Sequence, residues 1–175
     1  MVESVDQSVG RVMETLSELG LEDNTMVIVT SDNGGLWKAT DHTPLRANKG
    51  SHYEGGIRVP MIIKAPGISK RGTVNSVPVI TNDLYPTILD IAGLPMRPYQ
   101  HQDGVSLSAL LDGGKSLDRE DLFWHYPHYN QHPHSAPASI IRRGSWKLIE
   151  FLETGEIELY NLSSDIGETK DESES

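Results

Sequence analysis

The first periodic feature of the chain is a run of apolar residues spaced three or four apart within residues 4–20. These positions are Val5, Val9, Val12, Met13, Leu16 and Leu19. The spacing predicts an amphipathic helix, because residues three and four apart lie on one helix face. Ser4 with Gln7 predicts the helix start as a capping box, and Gly20 predicts its end, since glycine readily adopts the left-handed conformation there.

Two short apolar runs rich in β-branched residues follow, at residues 26–30 and 59–64. Neither run alternates between apolar and polar positions, which is typical of parallel strands buried on both faces between helices. A second helix is predicted at residues 83–92, ending at Gly93. The order of helix, strand, loop, strand and helix predicts an α/β fold.

Beyond residue 115 the pattern changes to short segments separated by turn residues. The segments are residues 121–124, 139–142, 146–151 and 156–160. They predict an antiparallel sheet, and the last two form a hairpin in which Gly155 takes a positive φ. We therefore assign residues 1–115 to an α/β domain and residues 116–175 to a small antiparallel α+β subdomain. Its acidic tail is expected to be solvated.

Composition excludes several classes of function. The 175 residues carry 15 basic and 25 acidic side chains, a formal net charge of −10. This charge argues against general nucleic-acid binding, which needs a basic surface. No apolar run is long enough to cross a bilayer, so no membrane span is expected. The chain has no cysteine, so these residues supply no disulfide, zinc-thiolate site or cysteine nucleophile.

Asp32 and Asn33 come directly after the first predicted strand. Ligands of open α/β sheets bind at the carboxyl ends of strands, and two adjacent side-chain oxygens suit a hard cation such as calcium or magnesium. The alternative is a plain hairpin turn, because Asn33-Gly34 is a strong hairpin signal. The following segment does not alternate and continues as a loop, which weakens the hairpin interpretation.

The loop at residues 38–58 concentrates basic side chains in an otherwise acidic chain. They are Lys38, Arg46, Lys49 and Arg58. This local charge predicts an anionic ligand beside the two oxygen ligands. Lys49 is the preferred contact, because the glycine after it lets the backbone approach a ligand closely. Arg58 and Glu54 are expected to pair with each other.

Several stretches together make the pattern specific. They are Thr30-Ser31-Asp32-Asn33-Gly34, Pro44-Leu45-Arg46, Lys49-Gly50-Ser51-His52-Tyr53-Glu54-Gly55-Gly56-Ile57-Arg58-Val59-Pro60, and Leu159-Tyr160-Asn161-Leu162 with Asp165 and Gly167-Glu168-Thr169. Over nearly the whole chain, this order resembles the C-terminal half of sulfatases, which belong to the alkaline-phosphatase-like superfamily. The resemblance implies an alkaline-phosphatase-like sheet flanked by helices and hydrolysis of sulfate esters of small molecules or carbohydrates.

The resemblance also implies roles for single residues. Asp32 and Asn33 match two ligands of the family's single divalent cation, usually calcium, and Lys49 matches a lysine that contacts the sulfate ester. The family's nucleophile is a formylglycine made from the first residue of a Cys/Ser-x-Pro-x-Arg motif in the N-terminal half. Ser135 is the nearest look-alike, but no arginine closes its motif. The chain is therefore expected to be a sulfatase fragment that is inactive by itself.

Four histidines lie close together at His125, His128, His132 and His134. Two prolines among them prevent a helical array, so their spacing does not match a standard zinc or nickel site. Similar segments in bacterial sulfatases imply a substrate-facing loop in which His125 and His128 bind substrate. Plain surface packing and a metal site are the alternatives. The nearby Trp124, Tyr126 and Tyr129 would stack on a sugar ring or belong to the core.

Two other functions remain open. A phosphodiesterase or phosphonate hydrolase of the same superfamily would act on a similar tetrahedral ester. The number of metals would separate the two, since phosphatases of this superfamily generally use two transition metals. A non-catalytic remnant would act as a binding module that keeps the candidate site residues without using them in catalysis. Apolar surface left uncovered by the absent half is then expected to promote self-association or partner binding.

Overall fold

The computed structural model describes residues 2–133 and 135–174. The helices are α1 (Val2–Glu18), α2 (Glu54–Ile57), α3 (Leu84–Ile91) and α4 (Ser108–Leu111). The strands are β1 (Val27–Thr30), β2 (Met61–Lys64), β3 (Asp121–Tyr126), β4 (Ala138–Arg143), β5 (Trp146–Phe151) and β6 (Ile157–Asn161). Within the described ranges, every helix is too short or too polar to cross a membrane.

The chain divides into two compact units, each built from two stretches of sequence. The first unit combines Met1–Val29 with Ile62–Leu117, and the second combines Thr30–Met61 with Asp118–Ser175. The loop that carries the candidate site thus folds with the C-terminal sheet. The division into domains at residues 1–115 and 116–175 stays a prediction.

Helix α1 confirms the predicted amphipathic helix but not its predicted start. The helix begins at Val2, so Ser4 lies inside it and the capping box is wrong. The predicted end is confirmed, because Gly20 has a φ of +67°. The Gly20 N–H donates to the Ser17 carbonyl and the Leu21 N–H to the Leu16 carbonyl, a pattern that satisfies the last carbonyls of a helix.

Strands β1 and β2 are neighbours in a two-stranded sheet. The prediction that both faces are buried is wrong for this chain. The first three residues of β1 are only half-buried, and Ile62 on β2 is 67% exposed. Helix α1 has no buried residue either. The side chains of a strand point to the two faces of its sheet. The described residues of the first unit do not fully cover these faces of the two-stranded sheet.

The second predicted helix is confirmed as α3, and Gly93 after it has a φ of +64°. Asp83 flanks the start of α3 and is fully buried. Its carboxylate accepts the N–H groups of Ile80 and Val105, which satisfies the buried charge and ties two segments of the first unit together.

The second unit contains the predicted antiparallel sheet, in the order β3-β4-β5-β6. The hairpin of β5 and β6 is confirmed, with Ile149 opposite Glu158 and Gly155 at a φ of +71°. One face of this sheet forms a hydrophobic core that also receives a tyrosine from the loop before α2. The buried members of this core are Tyr53, Ala138, Ile140, Ile149, Tyr160 and Leu162.

The acidic tail after β6 packs on this unit more closely than predicted. Glu168 is fully buried, and the Glu172 N–H donates to the carbonyl of Leu159 in β6. The expectation of a solvated tail is therefore wrong for these residues, because the tail places a carboxylate into a buried ion pair that is described below.

Candidate functional site

Asp32 and Asn33 lie directly after β1, where the sequence places them, and no hairpin follows. The next regular element along the described chain is α2, so the hairpin alternative is wrong. The Asp32 side chain is exposed and that of Asn33 is half-buried. The Ser31 hydroxyl donates to the Asn33 carbonyl at 2.9 Å and stabilises the turn. Within the described residues, the side-chain oxygens of Asp32 and Asn33 have no hydrogen-bond partner, so both are available to a ligand.

The glycine after this turn is in backbone contact with α2. The Gly34 N–H donates to the Gly56 carbonyl at 2.8 Å. A Cβ atom on Gly34 would lie 1.8 Å from the Gly55 carbonyl oxygen, which no side chain can tolerate. Only glycine allows two backbones to approach each other this closely. The location of α2 therefore fixes the location of the Asp32–Asn33 turn.

Lys49 lies beside the same turn. Its backbone N–H donates to the Gly35 carbonyl at 3.1 Å. Its side chain is exposed, and its ammonium has no ion-pair or hydrogen-bond partner within the described part of the chain. Gly50 follows with a φ of +93°, a conformation that favours glycine. One backbone hydrogen bond thus connects Lys49, the predicted anion contact, to the segment that follows Asp32 and Asn33, the predicted cation ligands.

The histidine-rich segment lies against Gly50. The Asn130 side-chain amide donates to the Gly50 carbonyl at 2.9 Å, and the Asn130 side-chain oxygen accepts the His132 N–H at 2.7 Å. A Cβ atom on Gly50 would lie 3.1 Å from the Cβ of His132. The segment is therefore next in space to the residue that follows Lys49.

The individual histidines differ in their surroundings. His125 is exposed, and its Nδ1 is 2.9 Å from the Ser139 hydroxyl. His128 is also exposed, with its ring centroid 5.5 Å from that of Tyr126. His134 lies outside the described residues. Over residues 2–133 and 135–174, no group of three or more His, Cys, Asp or Glu side chains could hold a metal ion.

His52 has a structural role. It is buried, and its Nε2 donates to the Ala136 carbonyl at 2.6 Å. Trp124 packs against the core of the second unit, whereas Tyr129 is 63% exposed. Of the three aromatic residues in this region, Tyr129 is thus the most accessible and Trp124 belongs to the core.

Arg46 and Arg58 stabilise the loop rather than face a ligand. The Arg46 guanidinium stacks 3.7 Å from the ring centroid of Tyr53 and donates to the Tyr160 hydroxyl at 2.8 Å. Burial and a hydrogen bond to Glu158 raise the pKa of Tyr53, so this phenol stays protonated at neutral pH. The predicted pair of Arg58 and Glu54 is confirmed at 3.4 Å. Lys49 remains the candidate anion contact.

The sequence analysis missed a buried ion-pair cluster formed by Lys147, Glu54 and Glu168. The Lys147 ammonium donates to Glu168 Oε1 at 2.7 Å and to Glu54 Oε1 at 3.2 Å. The Lys147 and Glu168 side chains are both 0% exposed. Burial raises the pKa of Glu168, and the charge of Lys147 opposes this shift. One signal was available, because Lys147 alternates with Ile149 on the inward face of a predicted strand.

The free side-chain oxygens of Asp32 and Asn33 fit part of a cation site. A carboxylate and an amide oxygen are donors that calcium prefers, but calcium takes six or more oxygens. Asp32 and Asn33 therefore supply at most part of such a coordination sphere. Lys49 lies outside that donor set, because an ammonium group cannot ligate a cation.

Comparison with known proteins identifies the family of the chain. The sulfatase family model matches residues 1–94, more than half of the chain. The chain belongs to the sulfatase family. A sulfatase of Formosa agariphila is 41% identical over an alignment of 186 residues. The alignment covers 96% of this chain and 34% of that relative. This sulfatase chain therefore spans about a third of the length of that curated relative.

Solved structures confirm the alkaline-phosphatase-like fold of this sulfatase chain. One, determined in complex with its substrate D-glucosamine-2-N,6-O-disulfate, superposes with a TM-score of 0.82 at 29% identity, over 97% of this chain and 34% of its own. Another is a phosphonate monoester hydrolase from Silicibacter pomeroyi, with a TM-score of 0.73 at 28% identity, over 95% of this chain and 34% of its own. The fold is thus shared by enzymes with two kinds of substrate.

Proposed function

We propose that this chain contributes part of the active site of an enzyme that hydrolyses sulfate esters, with a sulfated carbohydrate as the substrate class. The observation that carries the proposal is the hydrogen bond from the Lys49 N–H to the Gly35 carbonyl, at 3.1 Å. This bond ties the backbone of Lys49 to the segment that directly follows Asp32 and Asn33. The relative solved with a disulfated glucosamine supports a sulfated sugar as substrate.

Lys49 would bind and orient the sulfate group. A lysine ammonium is a compact point charge with three donors, which suits a tetrahedral anion. A divalent cation held in part by Asp32 and Asn33, with calcium expected, would add positive charge that stabilises the reacting anion. Because the Lys49 ammonium has no partner within the described residues, it need not break an ion pair to bind sulfate.

The nucleophile is proposed to come from sequence outside these 175 residues. The family's formylglycine arises from a cysteine or serine in a Cys/Ser-x-Pro-x-Arg motif, and these residues contain no cysteine and no serine in that motif. We therefore expect the 175-residue chain alone to be inactive towards sulfate esters.

His125 and His128 are proposed to contact the substrate beyond its sulfate group. Both are exposed, and their segment is joined to Gly50 through Asn130. An imidazole can donate to or accept from sugar hydroxyls. This arrangement supports a role in substrate binding, which would change KM more than kcat.

A second candidate function is hydrolysis of a phosphonate monoester. The similarity to the Silicibacter pomeroyi hydrolase favours it, because phosphonate and sulfate monoesters present similar tetrahedral anions. The two functions differ in the preferred substrate, which a direct comparison measures.

The test compares variants of the full-length protein on 4-nitrophenyl sulfate and 4-nitrophenyl phenylphosphonate. Lys49→Met is expected to lower kcat/KM for the sulfate ester about 100-fold, as loss of one preorganised charge typically does. Asp32→Asn is expected to weaken calcium binding measured by titration. Lys38→Met is the matched control, since Lys38 is an exposed basic residue of the same loop that contacts the Trp37 ring.

The outcomes separate the candidates. Faster hydrolysis of the phosphonate than of the sulfate ester would favour the second function. An unchanged kcat/KM in Lys49→Met, or an equal loss in Lys38→Met, would contradict the role of Lys49.

A further inference from the structure

The buried ion-pair cluster of Lys147, Glu54 and Glu168 has no part in the proposed chemistry, yet it is the most buried group of charges in the second unit. Charges removed from water are tolerated only when their partners are held in a defined geometry. Glu54 meets this condition on both of its oxygens. One accepts from Lys147 at 3.2 Å, and the other faces Arg58 at 3.4 Å and Arg142 at 3.9 Å. Its position is thus fixed from several directions.

Glu168 holds the same helix through its backbone. Its Oε2 accepts the Glu54 N–H at 2.7 Å, at the first residue of α2. Its Oε1 accepts from Lys147 at 2.7 Å. One buried carboxylate therefore connects β5 to the start of α2, and the location of α2 depends on the Lys147–Glu168 pair.

Helix α2 in turn contacts the turn that carries the candidate cation ligands. Gly56 in α2 accepts the Gly34 N–H at 2.8 Å, and Gly34 follows Asn33 directly. The Gly55 N–H donates to the Arg46 carbonyl at 2.8 Å, which fixes the helix on its other side. A displacement of α2 would therefore move or release Gly34.

We propose that Lys147 and Glu168 are positioning residues for the Asp32–Asn33 turn. They fix α2 through Glu54, and α2 fixes Gly34. The consequence for cation binding rests on the proposed function, whereas the positioning of the turn does not. Neither residue would contact the cation or the substrate, so both would act through the backbone of α2.

Hydrogen exchange of the Gly34 amide in the full-length protein measures this effect directly. In Lys147→Met the amide is expected to exchange about tenfold faster, because Glu168 loses its ion-pair partner, Glu54 loses one of its cations, and α2 is loosened. The Gly155 amide, which donates to the Phe151 carbonyl in the β5–β6 hairpin, is expected to keep its rate. Lys147→Arg retains the charge and is expected to restore most of the protection at Gly34.

Lys170→Met is the matched control. It removes a lysine that pairs with Glu172 at 2.8 Å but is 73% exposed, and exposed pairs contribute little to stability. It is expected to leave exchange at Gly34 unchanged. Calcium titration of the same variants is expected to show weaker binding in Lys147→Met than in Lys170→Met.

Two results would overturn the positioning role. One is unchanged exchange at Gly34 in a folded Lys147→Met protein. The other is equal acceleration at Gly34 and Gly155, which indicates general destabilisation. If Lys147→Met does not fold, Glu168→Gln replaces it, since glutamine keeps the volume and can still accept the Glu54 N–H. Its Gly34 amide must then exchange faster than in Lys170→Met.

The calcium measurement separates this inference from the proposed function. Faster exchange at Gly34 in Lys147→Met, together with no calcium binding by the wild-type protein, would support the positioning role and contradict the cation site. Unchanged exchange at Gly34 in Lys147→Met, together with calcium binding that depends on Asp32, would support the cation site and contradict the positioning role.

Discussion

Single backbone hydrogen bonds tie the Asp32–Asn33 turn to α2 and to Lys49. The Gly34 and Lys49 N–H groups each donate one hydrogen bond across the loop, to Gly56 and Gly35 respectively. Asp32 and Lys49 keep their charged groups free of partners within the described residues. Side chains that are free of partners and are carried by a fixed backbone favour binding, because little conformational entropy is lost when a cation or anion binds to them.

Gly34→Ala tests the closest of these contacts. The added Cβ would lie 1.8 Å from the Gly55 carbonyl oxygen, and a backbone atom cannot rotate away. We expect the free energy of unfolding to fall by about 1–3 kcal/mol, the usual cost of overpacking. Gly10→Ala is the control, since Gly10 lies in α1 with nothing within 4 Å of a Cβ, and alanine there is expected to stabilise. Urea unfolding measures the free energy of unfolding of both variants. An equal change in the two would contradict the close contact of Gly34 with Gly55.

At this scale the sequence indicates candidate ligands, which stay predictions, but not the residues that support them. Asp32, Asn33 and Lys49 are recognisable because their positions follow a strand or precede a glycine. The role of Glu54 was half recognised, since its pair with Arg58 is local at four residues. Its contact with Lys147 was not, because residues 93 positions apart in sequence are brought together only by the fold.

Elements with local turn chemistry were predicted well, and elements that depend on covering layers were not. Strand β5 has the predicted bounds, and its hairpin with β6 follows from the glycine at 155. The burial of β1 and β2 was predicted wrongly, because apolar composition indicates what a strand could bury but not whether a layer covers it. The start of α1 was also wrong, since a capping box signal can lie inside a helix.

The core face of the antiparallel sheet can be tested with two isoleucines. Ile149 on β5 is fully buried in the core, whereas Ile157 on β6 is 47% exposed. Ile149→Ala is expected to lower the free energy of unfolding by about 2–5 kcal/mol, through lost burial and the cavity it leaves. Ile157→Ala is expected to cost much less. Similar losses in thermal or urea unfolding would mean that the two faces of the sheet are not distinguished as described.

The tail turn gives a prediction about pH. Hydrogen bonds from the backbone of Lys170 and from Thr169 hold the pKa of Asp165 below its ordinary value of 3.8. A carboxylate with a lowered pKa stabilises the fold above its unfolded value and loses that contribution as pH falls through its folded value. The stability difference between wild type and Asp165→Asn should thus be largest above pH 3.8 and shrink at lower pH.

Acid titrations of unfolding in both proteins measure this difference. The turn matters to the buried cluster, because Glu168 lies within it at a φ of +50°. A difference that stays constant as the pH falls below 3.8 would contradict the prediction.

At the scale of the whole chain, apolar surface is unevenly distributed. The second unit has a buried core, whereas α1 has no buried residue. Val5 and Val12 in α1, and Leu19 directly after it, are more than half exposed. Large exposed apolar patches mark interaction surfaces. The sequence predicted this amphipathic face, but it could not show what covers it.

We propose that the 175-residue chain, expressed alone, self-associates through this face of α1. The expected result is a concentration-dependent increase in apparent mass by analytical ultracentrifugation. The double variant Val5→Glu with Val12→Glu should reduce the association, because it places charge on the apolar stripe. Val74→Glu is the control, since Val74 is an isolated exposed residue of the same unit. A monomer at all concentrations would contradict the proposal.

The second unit is assembled from segments on either side of residues 62–117. This interleaving limits how this chain can be recombined with a relative. Where a relative carries other residues at these positions, a chimera that takes residues 30–61 from one protein and the C-terminal sheet from the other would leave a buried charge of Glu54, or of Lys147 and Glu168, without its partner. Productive crossovers should therefore exchange the two segments together, and libraries built on a single breakpoint between them should be enriched in unfolded proteins.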